Sequence, residues 1–238
     1  MLSYCESAPP AALAAFVRCI WTLRGDSPGG RERILPDGSF ELVFHRTDAF
    51  THDGQLQPRV MLAGEIRRPV IVEPRGAVDV VGIRFRPGGA APFFRVPMSE
   101  LRDRMMAIDD VTSADDFLAR PPQPPKHQRL ALAAIAEIRR SRGSLRVREL
   151  ASRIGTTERT LERAFDDVAG IGPKQFSRIV RFQSALRSEE GLEYYDQSHR
   201  IHEFRELAGV TPTEFHRERN AINDAFVGNL QSDGDVGR

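Results

Sequence analysis

The chain has 238 residues, of which 40% are hydrophobic and 28% are charged, a composition typical of globular proteins. Its 34 basic and 33 acidic residues leave a formal net charge of +1, which favours no class of partner. Two cysteines, Cys5 and Cys19, exclude a disulfide framework and a four-cysteine zinc site. No apolar run approaches the roughly 20 residues that span a bilayer, and the N-terminus does not resemble a secretory signal. We therefore expect a cytoplasmic protein that makes no contact with a membrane.

A proline-rich segment divides the chain into two parts. Residues 121–126 read Pro-Pro-Gln-Pro-Pro-Lys, and prolines fix φ and remove backbone donors, so neither a helix nor a strand ladder continues through them. We predict a β-rich sensor or dimerisation domain over 1–120, a linker over 121–126, an all-α domain over 127–226 and a flexible tail over 227–238. Few contacts should cross such a boundary, so we expect the first domain to fold alone and to supply any self-association.

Short β segments separated by turns fill the predicted N-terminal domain. Apolar residues alternate over 40–44 and again over 78–86, and each stretch predicts a strand. Helical segments are predicted over 9–19 and 99–106. Trp21 is interpreted either as a core residue or as part of a ligand pocket. The predicted fold class is α+β, a mainly β, barrel-like N-terminal domain followed by an all-α domain.

The charge of the second half is unevenly distributed. Residues 129–187 carry 13 basic and 6 acidic side chains, a net charge of +7, whereas residues 188–238 carry 5 basic and 11 acidic side chains, a net charge of −6. A basic helical module is where nucleic acid would bind. A solvated, charged helix surface explains the same counts, so charge alone leaves both interpretations open.

The spacing within residues 147–168 is typical of a helix-turn-helix. A short amphipathic helix over 147–154 is followed by Gly155, which suits the left-handed conformation that ends helices. Thr157 can cap a second helix that continues over 157–168. The predicted apolar face of this second helix consists of Leu161, Ala164 and Phe165. A plain αα-hairpin without a ligand is the alternative interpretation.

The exposed face of the second helix offers side chains that can read DNA bases. Arg159 and Arg163 lie four residues apart, and a guanidinium can bond O6 and N7 of guanine together. Glu162 can accept a hydrogen bond from cytosine N4, or it can pair with the two arginines along the helix. Thr160 completes the predicted base-reading set. Phosphate contacts are predicted for Thr157, Glu158, Lys174, Arg178 and Arg181.

These residues resemble a known family. Residues 145–186 look like the first half of an AraC-type DNA-binding module, most clearly in the run Arg-Thr-Leu-Glu-Arg-Ala-Phe over 159–165, and residues 194–215 match its second half. Residues 34–38 and 84–89 resemble a β-rich, sensor-like domain attached to some of these regulators. The resemblance implies a bacterial transcription regulator that binds double-stranded DNA and is associated with the nucleoid when bound. Further partners that it suggests are RNA polymerase, a small-molecule effector and a second copy bound through the N-terminal domain.

The second helix-turn-helix of this family is shortened in the present sequence. Only residues 187–193 stand where the family places the end of a linker helix, a turn and a further helix. A second recognition helix is predicted over 197–207, with Ile201 and Phe204 buried and Arg200 at a usually apolar position. Its predicted DNA contacts are Gln197, Ser198 and His202. An interaction protein or antagonist that has lost productive DNA binding is therefore the alternative function.

No catalytic residue, metal site or cofactor is predicted. The sequence contains neither a P-loop nor an HExxH pattern, and we expect a protein that is not an enzyme. His199, His202 and His216 are close enough in sequence to share a metal. No cysteine or patterned carboxylate completes such a set, so these residues are interpreted as surface histidines.

Overall fold

The computed structural model describes residues 2–187 and 197–217. Ten strands occur in the described residues: β1 Ser3–Ser7, β2 Val17–Ser27, β3 Glu32–Ile34, β4 Glu41–His45, β5 Thr51–His52, β6 Gln55–Leu56, β7 Val60–Ala63, β8 Val70–Glu73, β9 Gly76–Phe85 and β10 Met105–Ala107. The described helices are α1 Ala114–Leu118, α2 Gln128–Arg140, α3 Val147–Arg153, α4 Glu158–Val168, α5 Pro173–Arg187, α6 Gln197–Ala208 and α7 Pro212–Arg217. The predicted α+β class, with the strands first and the helices after them, is confirmed.

The strands form two antiparallel sheets. The larger sheet has the order β1-β2-β9-β4-β7-β10, and the smaller has the order β3-β8-β5-β6. Within the described residues the two sheets do not close on each other, because β1 and β10 form opposite edges of the larger sheet. The expectation of a barrel-like domain is therefore wrong, and the N-terminal half is a pair of packed sheets.

The strongest alternating patterns became the central strands. The predicted segments 40–44 and 78–86 correspond to β4 and β9, which pair with each other in the middle of the larger sheet. The alternate residues Phe40, Leu42 and Phe44 lie together in one buried cluster, and Val43 between them is buried on the opposite face of the sheet. Alternation therefore identified both the strands and the buried face.

The two helical predictions in this half are wrong in large part. Within 9–19 only Ala11–Leu13 forms a 3₁₀ helix, and β2 begins at Val17. Within 99–106 a 3₁₀ helix over Met98–Leu101 is followed directly by β10. Both segments pair with strands far away in sequence, and this pairing outweighs the local helical pattern.

The larger sheet buries both of its faces. A register shift between Val17 and Cys19 lets β2 contribute Val17 to one face and Cys19 and Trp21 to the other. The first face packs against α1 and the helical half, and the second face packs against the smaller sheet. Side chains that point between the two sheets are therefore enclosed on both sides.

The two halves share a hydrophobic core across the linker. Ala131, Ala164 and Val168 of the helices belong to the cluster that is built on the larger sheet. In the other direction, Leu35 of the β-rich half lies in the helical core. The expectation of few contacts across the linker is wrong, because apolar residues of each half are buried in a core cluster that the other half helps to build. The sequence predicts that residues 1–120 fold alone, whereas the shared core predicts that both halves unfold as one unit.

Polar contacts reinforce this junction. Arg102 donates from Nε to the Gly170 carbonyl at 2.6 Å and from Nη2 to the Asp166 carboxylate at 3.0 Å. The Gln128 side chain donates to the Gly88 carbonyl at 2.8 Å. Asp166 belongs to α4, so the β-rich half holds the C-terminal part of that helix directly.

Two glycines allow the halves to approach closely. Gly38 has a φ of +83°, and a Cβ there would lie 2.6 Å from the Phe176 ring. Gly170 has a φ of +80°, and its Cβ would lie 2.8 Å from the Phe40 ring. Both positions need glycine for backbone conformation and for space.

Candidate nucleic-acid interface

The predicted helix-turn-helix is present with the expected turn chemistry. Helices α3 and α4 are joined through Gly155, whose φ of +69° lies in the left-handed region. The Thr157 Oγ1 accepts a hydrogen bond from the Thr160 amide at 3.2 Å, and the two threonine hydroxyls lie 2.9 Å apart. The side chain that was predicted to cap α4 therefore caps it, and it engages Thr160 as well.

The inward face of α4 is fully buried. Its four apolar residues have no measurable exposure, namely Leu161, Ala164, Phe165 and Val168. Ala151 of α3 is also buried, which permits close packing of the two helices. Burial of these residues against both α2 and the larger sheet fixes the orientation of α4. Because α4 is packed on two sides, the direction in which its outward face points is fixed.

The outward face of α4 presents all four predicted base-reading side chains to solvent. Arg159, Thr160, Glu162 and Arg163 are exposed. Within the described part of the chain, neither arginine forms an ion pair with Glu162 or with any other carboxylate. The alternative in which Glu162 pairs along the helix is therefore not what the structure shows. Two unpaired guanidinium groups on a fixed helix are suited to hydrogen bonds with base edges.

The arginines of α3 differ in whether they form ion pairs. Arg153 at the end of α3 pairs with Glu137 at 2.9 Å and with Glu149 at 2.8 Å. The hydrogen bond to Glu137, and then that to Glu149, raises the pKa of Arg153. Arg148 is exposed and, among the described residues, without an ion pair. The positive charge that is available to a ligand therefore lies on α4 and on Arg148 rather than on Arg153.

The predicted phosphate contacts fall into two groups. Thr157, Glu158 and Lys174 are exposed at the starts of α4 and α5. Arg178 and Arg181, in contrast, join α5 to α6. The Arg178 Nε donates to Glu203 at 3.2 Å and its Nη2 contacts Glu206, while the Arg181 Nη1 donates to the Gly143 carbonyl at 2.7 Å.

The hydrogen bonds between Arg178 and the glutamates of α6 shift the pKa of Arg178 and that of Glu206. Burial lowers the pKa of Arg178, but hydrogen bonds to Glu206 and Glu203 outweigh it and raise that pKa. The hydrogen bond from Arg178 holds the pKa of Glu206 below its ordinary value. A phosphate contact from Arg178 would require this pairing to break. Lys174 is therefore the best placed of the three predicted phosphate ligands on α5, since Arg181 is engaged as well.

The second predicted recognition helix is present as α6, but only part of its predicted burial is observed. Phe204 is buried, as expected, whereas Ile201 is 39% exposed, so the prediction that Ile201 is buried is wrong. His202 is exposed, and its Nε2 lies 3.4 Å from the Glu206 carboxylate. The side chains of Gln197, Ser198 and Arg200 lie outside the described residues, as does the connection over 188–196. The described surface of α6 thus offers carboxylates beside its one predicted DNA contact.

Metal binding and a serine nucleophile find no support in the geometry of the described residues. No group of three metal-ligating side chains occurs among the described residues, and the side chains of His199 and His216 lie outside them. Residues 25–29 spell GxSxG, but Ser27 ends strand β2, its hydroxyl donates to the Pro74 carbonyl, and a strand follows it. A nucleophilic serine of that pattern needs a strand–turn–helix context.

Within the described chain, no helix has the length and apolar character to cross a membrane.

Comparison with known proteins gives two similarities. Residues 6–107 match a family described as a domain of unknown function, DUF6597, and the match ends where β10 ends. The chain is also similar, at 11% identity and a TM-score of 0.28, to the crystal structure of the AraC-like transcriptional activator CuxR, over 80% of this chain and 88% of that one. No curated protein matches. A similarity this distant leaves the functional argument resting on the chain's own residues.

Proposed function

We propose that the protein is an AraC-type, sequence-specific DNA-binding transcription regulator that reads the major groove with α4. The observation that carries this proposal is the exposed face of α4, where Arg159 and Arg163 stand unpaired within the described structure. The opposite face is buried, so the helix is held in one orientation. The proposal describes a binding protein rather than an enzyme.

The charge distribution supports the same function. The segment 129–187 has a net charge of +7, and the Glu carboxylates of α2 and α3 neutralise Arg153 but leave the α4 arginines free within the described residues. Thr157 and Glu158 place backbone amides at the exposed start of α4, and Lys174 lies at the start of α5. These groups are suited to phosphates on either side of the groove that α4 would enter.

A second candidate function is an interaction protein that has lost productive DNA binding. The observation that favours it is the pairing of Arg178 and Arg181 with Glu203 of α6, which removes two cations from the predicted phosphate contacts. The acidic composition of residues 188–238 also favours an interaction protein, because it would repel DNA phosphates. An effector, RNA polymerase and a second copy bound through the N-terminal half remain predicted partners of either function.

Selection from random duplexes tests the proposal. The full chain is expected to enrich one sequence, and its affinity for that sequence should fall linearly on a plot of log K against log salt concentration. An interaction protein would enrich no sequence and would bind the duplex pool weakly at every salt concentration. Repeating the selection with a variant in which Arg159 and Arg163 are both alanine gives the matched negative control.

A further inference from the structure

Three cations lie in a row along one face of α5. Lys174, Arg178 and Arg181 are separated by four and three residues, a spacing that places side chains on the same side of a helix. The side of α5 that faces the core is formed by other residues, and these are buried, namely Phe176, Ile179 and Phe182. A row of cations on a helix surface is suited to the phosphates of a nucleic-acid backbone.

Helix α6 places its own carboxylates on two of these three cations. Glu203 accepts a hydrogen bond from the Arg178 Nε at 3.2 Å and lies 3.4 Å from the Arg181 Nη2. Glu206 contacts the Arg178 Nη2. No other residue of α6 carries a carboxylate, so both acidic side chains of this helix bind cations of α5. Lys174 is exposed and has no ion pair within the described part of the chain.

Other contacts hold α6 in its place without these ion pairs. Phe204, Leu207 and Ala208 are buried, and the Phe204 ring packs edge-on against Phe182 of α5 at a centroid distance of 5.4 Å. At the end of α6, the Ala208 carbonyl accepts a hydrogen bond from the Arg33 Nη1 at 2.9 Å. Partly exposed ion pairs contribute little to stability. The packing, rather than the two glutamates, therefore determines where α6 lies.

A carboxylate and a phosphate compete for the same guanidinium group. Each is an anion that accepts hydrogen bonds from arginine, so an arginine that is held by a glutamate is not available to a phosphate. The salt-dependent part of DNA affinity comes from counterions that are released when cations of the protein neutralise phosphates. Arg178 and Arg181 therefore contribute little to this part of the affinity while α6 lies against them.

We propose that α6 is an autoinhibitory element, in which Glu203 and Glu206 take the place of DNA phosphates on Arg178 and Arg181 and lower the affinity of the chain for duplex DNA. This inference rests on the proposed function, because it concerns the regulation of the same nucleic-acid interface. It differs from a permanent loss of DNA binding, since movement of α6 away from α5 would free both cations. Arg33, which bonds the end of α6, belongs to β3 and gives the β-rich half a direct contact with this element.

Replacing both glutamates by glutamine removes the competing charges and keeps the shape of α6. We expect the full chain with Glu203→Gln and Glu206→Gln to bind a selected duplex about tenfold more tightly at about 0.1 M salt. The slope of log K against log salt should become steeper by about 1.8, which corresponds to two further phosphates. Fluorescence anisotropy measures both effects. Glu100→Gln combined with Asp115→Asn, which removes two exposed carboxylates of the β-rich half, is the control and should change neither the affinity nor the slope.

The same glutamine variant in an Arg178→Ala background shows whether the gain comes from the freed cations. Arg178→Ala leaves the bond from Arg181 to the Gly143 carbonyl in place. In this background the steepening should fall by half, to about 0.9, because only one cation remains to be freed. An undiminished steepening would mean that α6 repels DNA through its overall charge, and it would overturn the proposal. An unchanged affinity and slope in the glutamine variant alone would overturn it as well.

Elution from heparin separates this proposal from the proposed function. Heparin is a polyanion, so its retention depends on accessible cations and not on the reading of a base sequence. The glutamine variant should elute at higher salt than the original chain even if neither enriches a duplex sequence, an outcome that would contradict only the proposed function. Equal elution of the two chains would overturn the autoinhibitory role of α6, whether or not the original chain binds a selected duplex.

Discussion

Arg163 is the residue on which the proposed base reading depends most clearly. It is exposed and unpaired within the described structure, one helical turn from Arg159 and opposite the buried Leu161 and Phe165. We predict that Arg163→Ala weakens binding to a selected duplex by about 1–3 kcal/mol and relaxes the preference at one base pair. Fluorescence anisotropy on the selected site and on single-base variants measures both effects. Arg129→Ala, which removes an equally exposed arginine from α2, is the control, and equal losses in both variants would point to general electrostatics.

Glu65 is predicted to make stability depend on pH. It is completely buried, and both side-chain oxygens lack a hydrogen-bond partner within the described structure. Burial raises its pKa well above 4.5 and the charges of Asp37 and Asp103 raise it further, although the nearby backbone amide of Gly38 opposes this rise. Because the folded-state pKa exceeds the unfolded one, the free energy of unfolding should fall as pH rises from about 4.5 through the folded-state value.

Glu65→Gln keeps the shape of this side chain and removes its titration. We predict that the variant loses the decline in stability above about pH 4.5 and is more stable than the original chain at neutral pH by about 1 kcal/mol or more. Urea unfolding between pH 4 and pH 8 measures this. Glu100→Gln, at an exposed position, is the control and should follow the original curve. A Glu65→Gln curve that ran parallel to the original would show that Glu65 is ionised in the folded protein.

Sequence patterns correctly predicted the helices, strands and turns that are determined by interactions between residues close together in the chain. The strands β4 and β9 followed from alternation, and the turn between α3 and α4 followed from Gly155 and Thr157, because each signal lies within a few residues of its effect. The strand that begins at Val17 was missed because the partner of Val17 in β9, Phe85, lies nearly seventy residues away. The sequence alone leaves Trp21 open between core and pocket, and it places His45 in no recognisable pattern. Both residues line a cavity between the two sheets, which forms only when the sheets pack, so no short segment encodes it.

Two of the cations of α5, Lys174 and Arg178, should behave differently. Lys174 is exposed, whereas Arg178 is engaged by Glu203 and Glu206 of α6. We predict that Lys174→Ala weakens specific and random duplexes alike and makes the slope of log K against log salt shallower by about 0.9. Arg178→Ala should instead leave that slope unchanged and speed the hydrogen exchange of α6. A shallower slope for Arg178→Ala would show that DNA displaces its glutamates.

The whole molecule is expected to unfold as one unit, since each half completes the core of the other. Gly170→Ala tests this, because a Cβ there meets the Phe40 ring in the opposite half and the backbone has a φ of +80°. We predict a loss of about 2–4 kcal/mol from the free energy of unfolding. Gly172→Ala, where nothing lies within 4 Å and φ is not positive, is the control and should lose far less.

Cooperativity distinguishes a shared core from two tethered domains. The original chain should show a single thermal transition, with helical and sheet signals lost together. Two transitions, with Gly170→Ala lowering only one of them, would mean that the halves fold separately, as the linker over 121–126 first suggested. The mass of the full chain and of residues 1–120 in solution would then decide where any self-association resides.

The proposed function requires that one helix, α4, reads one stretch of major groove. Methylation protection of guanine N7 on a selected duplex is a specific test, because N7 lies in the major groove where an arginine would bond it. We predict that a monomer protects a single major-groove segment, that Arg159→Ala and Arg163→Ala each expose guanines within it, and that Arg129→Ala changes nothing. Protection of two segments about one helical turn apart would show that α6 reads DNA as well. Protection that persisted after both α4 arginines were replaced would show that α4 is not the helix that reads the groove.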